Sequence, residues 1–173
     1  AMAMGRSVTG QIAVPAGAGQ KFSAGVYDGD KTIYVVPSNA SYIGMINTEA
    51  KTFDSTTFRL DGDQDQKYSS GVFANNTVFL VPDFADHIGI VAGRTFSQLK
   101  ENYCSPTQIA EGESIGQECT VSPLRSGQNY WSDAVRVLDS EIYLVPARAG
   151  SIGILNALTT RLDTYTLRGL PVD

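Results

Sequence analysis

The chain is poor in the residues most enzymes and metal centres rely on. It contains a single histidine, His87, and only two cysteines, Cys104 and Cys119, in 173 residues. One imidazole and two thiols far from the close-paired spacing of structural zinc sites do not readily complete a tetrahedral metal site. No Gly-x-Ser-x-Gly nucleophile elbow accompanies the serines, and Gly17-Ala18-Gly19 lacks the lysine and hydroxyl residue of a phosphate-binding loop. No apolar run approaches the roughly 18 residues needed to span a bilayer as a helix, so no membrane partner is expected. Basic residues are also few: 13 Lys and Arg stand against 18 Asp and Glu, a formal charge of −5. Without a cationic stripe there is nothing to displace counterions from a phosphate backbone, which argues against a nucleic-acid partner.

The chain does not lack apolar content. Hydrophobic residues make up 42% of it, enough for one well-buried domain and too little chain for two. Ala1-Met2-Ala3-Met4 reads as a tag or leader, with 1–9 set apart from a single repeat domain over 10–173. The expected compartment is cytoplasmic if Met4 is the native start and secreted if a leader was removed. Cys104 and Cys119 are a disulfide candidate. A bridge would close a small ring and contribute on the order of 3 kcal/mol, and two reduced thiols are the equal alternative.

The dominant feature is an internal repeat of roughly 45 residues. The first copy carries Gln20-Lys21-Phe22-Ser23-Ala24-Gly25-Val26, then Ile33-Tyr34-Val35-Val36-Pro37, Tyr42-Ile43-Gly44-Met45-Ile46-Asn47 and Thr52-Phe53-Asp54. The second carries Gln66-Lys67-Tyr68-Ser69-Ser70-Gly71-Val72, Val78-Phe79-Leu80-Val81-Pro82, His87-Ile88-Gly89-Ile90-Val91 and Thr95-Phe96-Ser97. The third carries Gln128-Asn129-Tyr130-Trp131, Ile142-Tyr143-Leu144-Val145-Pro146, Ser151-Ile152-Gly153-Ile154-Leu155-Asn156 and Arg161-Leu162-Asp163. The units span about 20–65, 66–100 and 128–168, with an insertion over about 101–127 that holds both cysteines. Each parses into four short strands, A to D, rich in β-branched and aromatic residues. Asp28-Gly29-Asp30 and Asn75-Asn76 supply the left-handed positions of A–B hairpins. The proline closing each B strand ends its ladder, and the glycine after each strand-C isoleucine leaves room for a close neighbour. Gly10-Gln11-Ile12-Ala13-Val14-Pro15 reads as a lone D strand that must pair elsewhere, in a ring or in another subunit.

These blocks, Phe-Ser-x-Gly-Val, Ile-Tyr-x-x-Pro, Ile-Gly-x-x-Asn and Thr-Phe-Asp, resemble blades of the broad β-propeller repeat group, kelch-like and related families. The resemblance covers most of 10–168, rests on motifs generic to blades and names no activity. It implies an all-β fold of three four-stranded antiparallel blades. Since propellers close with about four to eight blades, six blades from two combined chains are expected, and the partner is a second copy in a homodimer. The alternative is a β-trefoil, which uses three four-stranded units in one closed monomer.

In a propeller the D–A and B–C connections share the face around the channel. That places Asn39, Asp61, Asp63, Asp65, Asp83, His87 and Arg148 on a ligand-binding rim, with Trp131 at the start of an A strand as a stacking surface for a sugar or apolar ligand. The expected function is a non-enzymatic module binding a small molecule, glycan or protein. The alternative is a hydrolase or lyase in which His87, oriented by Asp83 or Asp86, acts as general base. No cofactor is expected. Asp61-x-Asp63-x-Asp65 offers oxygen ligands for calcium but fails the EF-hand pattern, since Gln66 replaces the turning glycine and Val72 the bidentate glutamate.

Overall fold

The computed structural model describes Ile12, Val14 and residues 21–60, 67–99, 131–148 and 151–166. These form twelve strands in three antiparallel sheets, and no helix occurs among them. The first sheet is β1 (Phe22–Tyr27), β2 (Thr32–Pro37), β3 (Tyr42–Asn47) and β4 (Thr52–Arg59). The second is β5 (Tyr68–Ala74), β6 (Thr77–Pro82), β7 (Ile88–Ala92) and β8 (Thr95–Leu99). The third is β9 (Trp131–Leu138), β10 (Glu141–Pro146), β11 (Ser151–Asn156) and β12 (Arg161–Thr166). Every sheet is a plain meander in which chain order equals spatial order. This is an all-β chain of three repeated four-stranded sheets, consistent with propeller-like blades. Among the described strands the backbone ladders pair only within each sheet, whereas a β-trefoil needs a barrel closed by strand pairing between its units. Of the lone N-terminal strand only Ile12 and Val14 are described, and neither is in a strand; the rest of that segment, Cys104, Cys119 and the whole insertion lie outside the described residues.

Local chemistry sets the turns. Asn75 and Asn76 take φ of 46° and 56°, and Gly29 takes 83°, as tight A–B hairpins require. In the first turn Asp28 Oδ1 accepts the amides of Asp30 at 2.9 Å and Thr32 at 3.0 Å. The asparagine ending the Ile-Gly-x-x-Asn block does the same for the C–D turn. Asn47 Oδ1 accepts from Glu49 and Ala50, and Asn156 Oδ1 from Leu158 and Thr159. An asparagine side chain thus mimics a backbone turn in the first and third units.

Register places the third A strand. Phe22 pairs with Pro37, Tyr68 with Pro82 and Trp131 with Pro146. Trp131, not Tyr130, is therefore the counterpart of Phe22 and Tyr68. The next pairs are Ala24 with Val36, Ser70 with Val81 and Asp133 with Val145. Ser23, Ser69 and Ser132 are each left over as the extra residue of a β-bulge, beside a proline that cannot extend the ladder.

The bulge aims the first two serines toward a neighbouring sheet. Ser23 Oγ donates to the Tyr68 carbonyl at 2.8 Å, and Ser69 Oγ to the Trp131 carbonyl at 3.2 Å. The A strands consequently lie side by side, β1 against β5 and β5 against β9, with the D strands at the far edge of each sheet. One apolar core fills the space between the first two sheets, from Val26, Val36, Ile43 and Phe58 on one side and Tyr68, Val78, Leu80 and Val91 on the other. A second joins Ala74, Phe79, Val81 and Ile88 to Trp131, Ile142, Leu144 and Leu155. Asn75, Ser70 and Arg136 add polar ties across this second boundary, to the Ala157 carbonyl, the Asp133 carboxylate and the Phe73 carbonyl.

Glycine has a steric role in strand C. A Cβ on Gly89 would stand 3.0 Å from Leu80 Cδ1, 3.1 Å from Phe96 Cε2 and 3.1 Å from Tyr68 Oη. At this buried position three side chains would each have to give by a few tenths of an ångström. Gly89→Ala is expected to lower unfolding stability by about 1–3 kcal/mol, read as a reduced midpoint in chemical denaturation; an unchanged midpoint contradicts this packing.

Strand β4 carries extra residues, since Ile43 pairs with Phe58 but Met45 with Asp54. Asp54 organises that bulge. Its carboxylate accepts from the Thr56 amide at 2.7 Å, the Thr56 hydroxyl at 2.7 Å and the Thr57 hydroxyl at 2.5 Å. These bonds, led by that from Thr57, lower the carboxyl pKa from 3.8 to about 2. Between those two values the unfolded chain binds the proton and the folded chain does not, so stability rises with pH there. The contribution is complete above about pH 4 and is lost as pH falls toward 2. Asp54→Asn is expected to flatten the melting temperature between pH 4 and pH 2 relative to the parent, and identical profiles would contradict the assignment.

Candidate functional site

The B–C turns join one end of all three sheets and carry most of the rim residues that the sequence singles out. Their backbone is built the same way in the first two units. The Lys21 carbonyl accepts the amides of Ser38 at 2.8 Å and Ala40 at 3.2 Å. The Lys67 carbonyl accepts those of Asp83 at 3.0 Å and Ala85 at 3.1 Å. The Lys67 amide in turn donates to the Ser38 carbonyl at 3.0 Å, so the first turn is tied to the second unit. Ala40 and Ala85 are buried at matching positions, and Ser38 and Lys67 are buried beside them.

On this common frame the side chains differ. Asn39 is exposed, and its Oδ1 accepts from the Ser38 hydroxyl at 3.3 Å. Asp83 is half-buried and Arg148 exposed. Burial pushes the Asp83 carboxyl above its ordinary range, and the Arg148 guanidinium of the third unit partly offsets that. The charge of Arg148 in the third unit is thus felt by Asp83 in the second, and Asn39 lies on the corresponding turn of the first unit. Asp61, Asp63 and Asp65, the candidate calcium ligands, lie outside the described residues. Among the described residues no group of three or more His, Cys, Asp or Glu side chains is placed to hold a metal ion.

His87 is held on both sides. Asp86 Oδ1 stands 2.6 Å from Nδ1, and the Tyr68 hydroxyl 2.7 Å from Nε2. The carboxylate can only accept, so Nδ1 carries a proton toward it, and Nε2 shares a hydrogen bond with the phenol. Tyr68 is buried, and burial first, then the Asp86 charge, drives its phenol above the usual tyrosine range. The phenol therefore keeps its proton, and both ring nitrogens of His87 are engaged in the chain Tyr68–His87–Asp86. Its ring pair is edge-to-face at 5.9 Å. In the first unit the counterparts of Tyr68 and His87, Phe22 and Tyr42, join Phe53 of the D strand in an aromatic trio, with centroids 5.7 to 6.4 Å apart and all edge-to-face. The two solutions anchor strand C to the start of strand A by different means.

Asp86, rather than Asp83, is the carboxylate that orients His87. Phe22, Tyr68 and Trp131 all sit at the first A-strand position. Trp131 is buried between the second and third sheets, where it fills the core instead of offering a stacking face. Tyr68 is the residue that the sequence did not flag as the imidazole's partner. The trace it leaves is a paired exchange between copies: where Phe22 becomes Tyr68, Tyr42 becomes His87.

No family model matches the chain, and no curated protein matches it. Among solved structures it is similar to the Kuenenia stuttgartiensis hydrazine synthase, with a TM-score of 0.53 and 8% sequence identity. The match covers 95% of this chain and 38% of that one, so the chain spans well under half the length of the protein it resembles. At that identity the likeness concerns the fold alone.

Removal of the phenol tests the anchoring role. Tyr68→Phe leaves His87 Nε2 without its hydrogen-bond partner in a largely enclosed place, which is expected to cost about 1–3 kcal/mol of stability. A change within a few tenths of a kcal/mol would mean that the relay does not hold the turn.

Proposed function

We propose that the chain is a non-catalytic binding module within a propeller-like ring, six blades if two chains combine, that takes a polar, hydroxyl-rich ligand on its rim. The observation that carries this reading is the shared backbone of the first two B–C turns beneath varied side chains. The same pair of amide bonds to Lys21 and to Lys67 supports Ser38 and Asn39 in one unit and Asp83 and Phe84 in the next. A rigid frame that displays different groups suits recognition, because little ordering is required when the ligand arrives. Asp83, Arg148 and Asn39 offer a carboxylate, a guanidinium and an amide together, which suits the mixed donors and acceptors of a glycan. Small molecules of similar polarity fit the same chemistry.

The carboxylate–imidazole pair of Asp86 and His87 is the feature that favours a hydrolase or lyase. Against it, the ring nitrogen that would take a substrate proton is already bonded to Tyr68, whose hydroxyl is buried. A general base needs that nitrogen within reach of the proton it removes.

A glycan array probed with the labelled chain tests the binding reading. Retention of oligosaccharides is expected, weakened about tenfold by Asp83→Ala or Arg148→Ala, which corresponds to about 1.4 kcal/mol. Absence of retention, or retention that neither substitution alters, overturns it. Hydrolysis of nitrophenyl glycosides that disappears in His87→Ala would replace it with the enzyme.

A further inference from the structure

The two outward faces of this array do not match the surroundings that the repeat provides elsewhere. In the first sheet Val26, Val36 and Phe58 face the second sheet and are 5%, 0% and 2% exposed. Register gives their counterparts in the third sheet. Val135 pairs with Tyr143 as Val26 pairs with Tyr34, Val145 with Asp133 as Val36 with Ala24, and Tyr165 with Ile152 as Phe58 with Ile43. Val135, Val145 and Tyr165 are 52%, 38% and 58% exposed. The same contrast holds against the second sheet, where Val81, the counterpart of Val145, is 1% exposed. Apolar residue types persist at these positions although nothing in the described structure covers them.

The polar half of the junction is also incomplete. Ser23, Ser69 and Ser132 each lie 3.5 Å from a carbonyl of their own sheet, those of Val36, Val81 and Val145. The first two add a bond to the first A-strand carbonyl of the following sheet. Among the described residues no following sheet stands before Ser132.

The chain holds the complement of that face at its other end. Val78, Leu80 and Val91 receive the first sheet and are buried, as are Ile142, Leu144 and Leu155, which receive the second. Their counterparts in the first sheet are Ile33, Val35 and Ile46, and these are half-buried. The first sheet thus carries the receiving face with no described donor sheet, and the third a donor face with no receiver.

We propose that the exposed face of the third sheet is the seat for the first sheet of a second copy of this chain. Ser132 then donates to the Phe22 carbonyl of that copy, and Val135, Val145 and Tyr165 close onto its Ile33, Val35 and Ile46. The contact is head-to-tail and continues the junction seen twice within the chain. Two such contacts related by a two-fold axis satisfy both ends of both chains. This inference rests on the ring reading given above but not on the rim's ligand.

Light scattering on a sizing column, from micromolar to about 100 µM protein, tests it. The expected mass is twice the 18.5 kDa of the chain. Val135→Glu and Val145→Glu alter side chains already exposed in the single chain, so each is expected to keep the β-type circular dichroism and melting behaviour of a folded monomer while halving the mass. A parent that stays monomeric throughout, as it would if these faces instead meet further sheets of a longer polypeptide, overturns the proposal. So does a dimer that neither substitution dissociates. Asp83→Ala and Arg148→Ala are expected to leave the mass unchanged, so failure of the rim and failure of the interface give different patterns.

Discussion

The constraint on which this structure depends is that each four-stranded sheet is apolar on both faces. An antiparallel sheet with one wet face alternates cleanly between apolar and polar residues. Here β6 reads Thr-Val-Phe-Leu-Val-Pro, buried from Val78 to Pro82. Such a sheet cannot stand alone and cannot be satisfied by a single partner. It must be stacked, and stacking of like units forces the array. The serine bulge then fixes how the units stack. Proline at the end of strand B breaks the ladder, the freed serine turns outward, and its hydroxyl meets the first carbonyl of the next A strand. Hydrophobic burial supplies most of the driving force, being roughly proportional to area. Burial alone is not directional, and the serine bond gives each pair of sheets its register.

The same arrangement brings chemistry to one end. Because the A strands are pinned side by side, their starts and the adjoining B–C turns converge there. Backbone bonds to Lys21 and Lys67 hold the first two turns in one conformation, which frees their side chains from any structural duty shared by all copies. The second unit spends part of that freedom on anchoring, through Tyr68, His87 and Asp86. What remains outward is Asp83 with Arg148, together with Asn39. The lone histidine, the obvious catalytic candidate from composition, has both ring nitrogens engaged within the second unit.

Much of this was legible from the residues, and the reasons are physical. Strand number and order follow from β-branched runs bounded by turn residues, and the asparagine and glycine turns follow from the left-handed positions they allow. The repeat made each inference in one copy a check on the next. Other features were hidden. Whether Trp131 or Tyr130 matched Phe22 depended on a one-residue difference that only pairing to Pro146 resolves. The partnership of His87 with Tyr68 depends on two residues from different strands meeting in space, and no local rule of spacing announces it. The choice between stacked sheets and a β-trefoil was open for a related reason. Both use three four-stranded units of this length, and they differ only in whether strands pair across units.

The end faces follow from the same logic as the core. Evolutionary or chemical tolerance of an exposed Val135 or Tyr165 is unremarkable singly, since isolated surface apolar residues are ordinary. What gives them meaning is position, because each occupies a site that the rest of the chain reserves for burial. A head-to-tail contact between copies that did not close would leave one such face at each end of every chain of molecules, and growth would continue. Closure by a pair avoids this. The loss of translational and rotational freedom on association is incurred once, whereas two interfaces form, the second within the complex at high effective concentration. A weak junction repeated in a closed ring would therefore hold firmly where the same junction in an open pair would not, and the proposed pairing would use no new kind of contact.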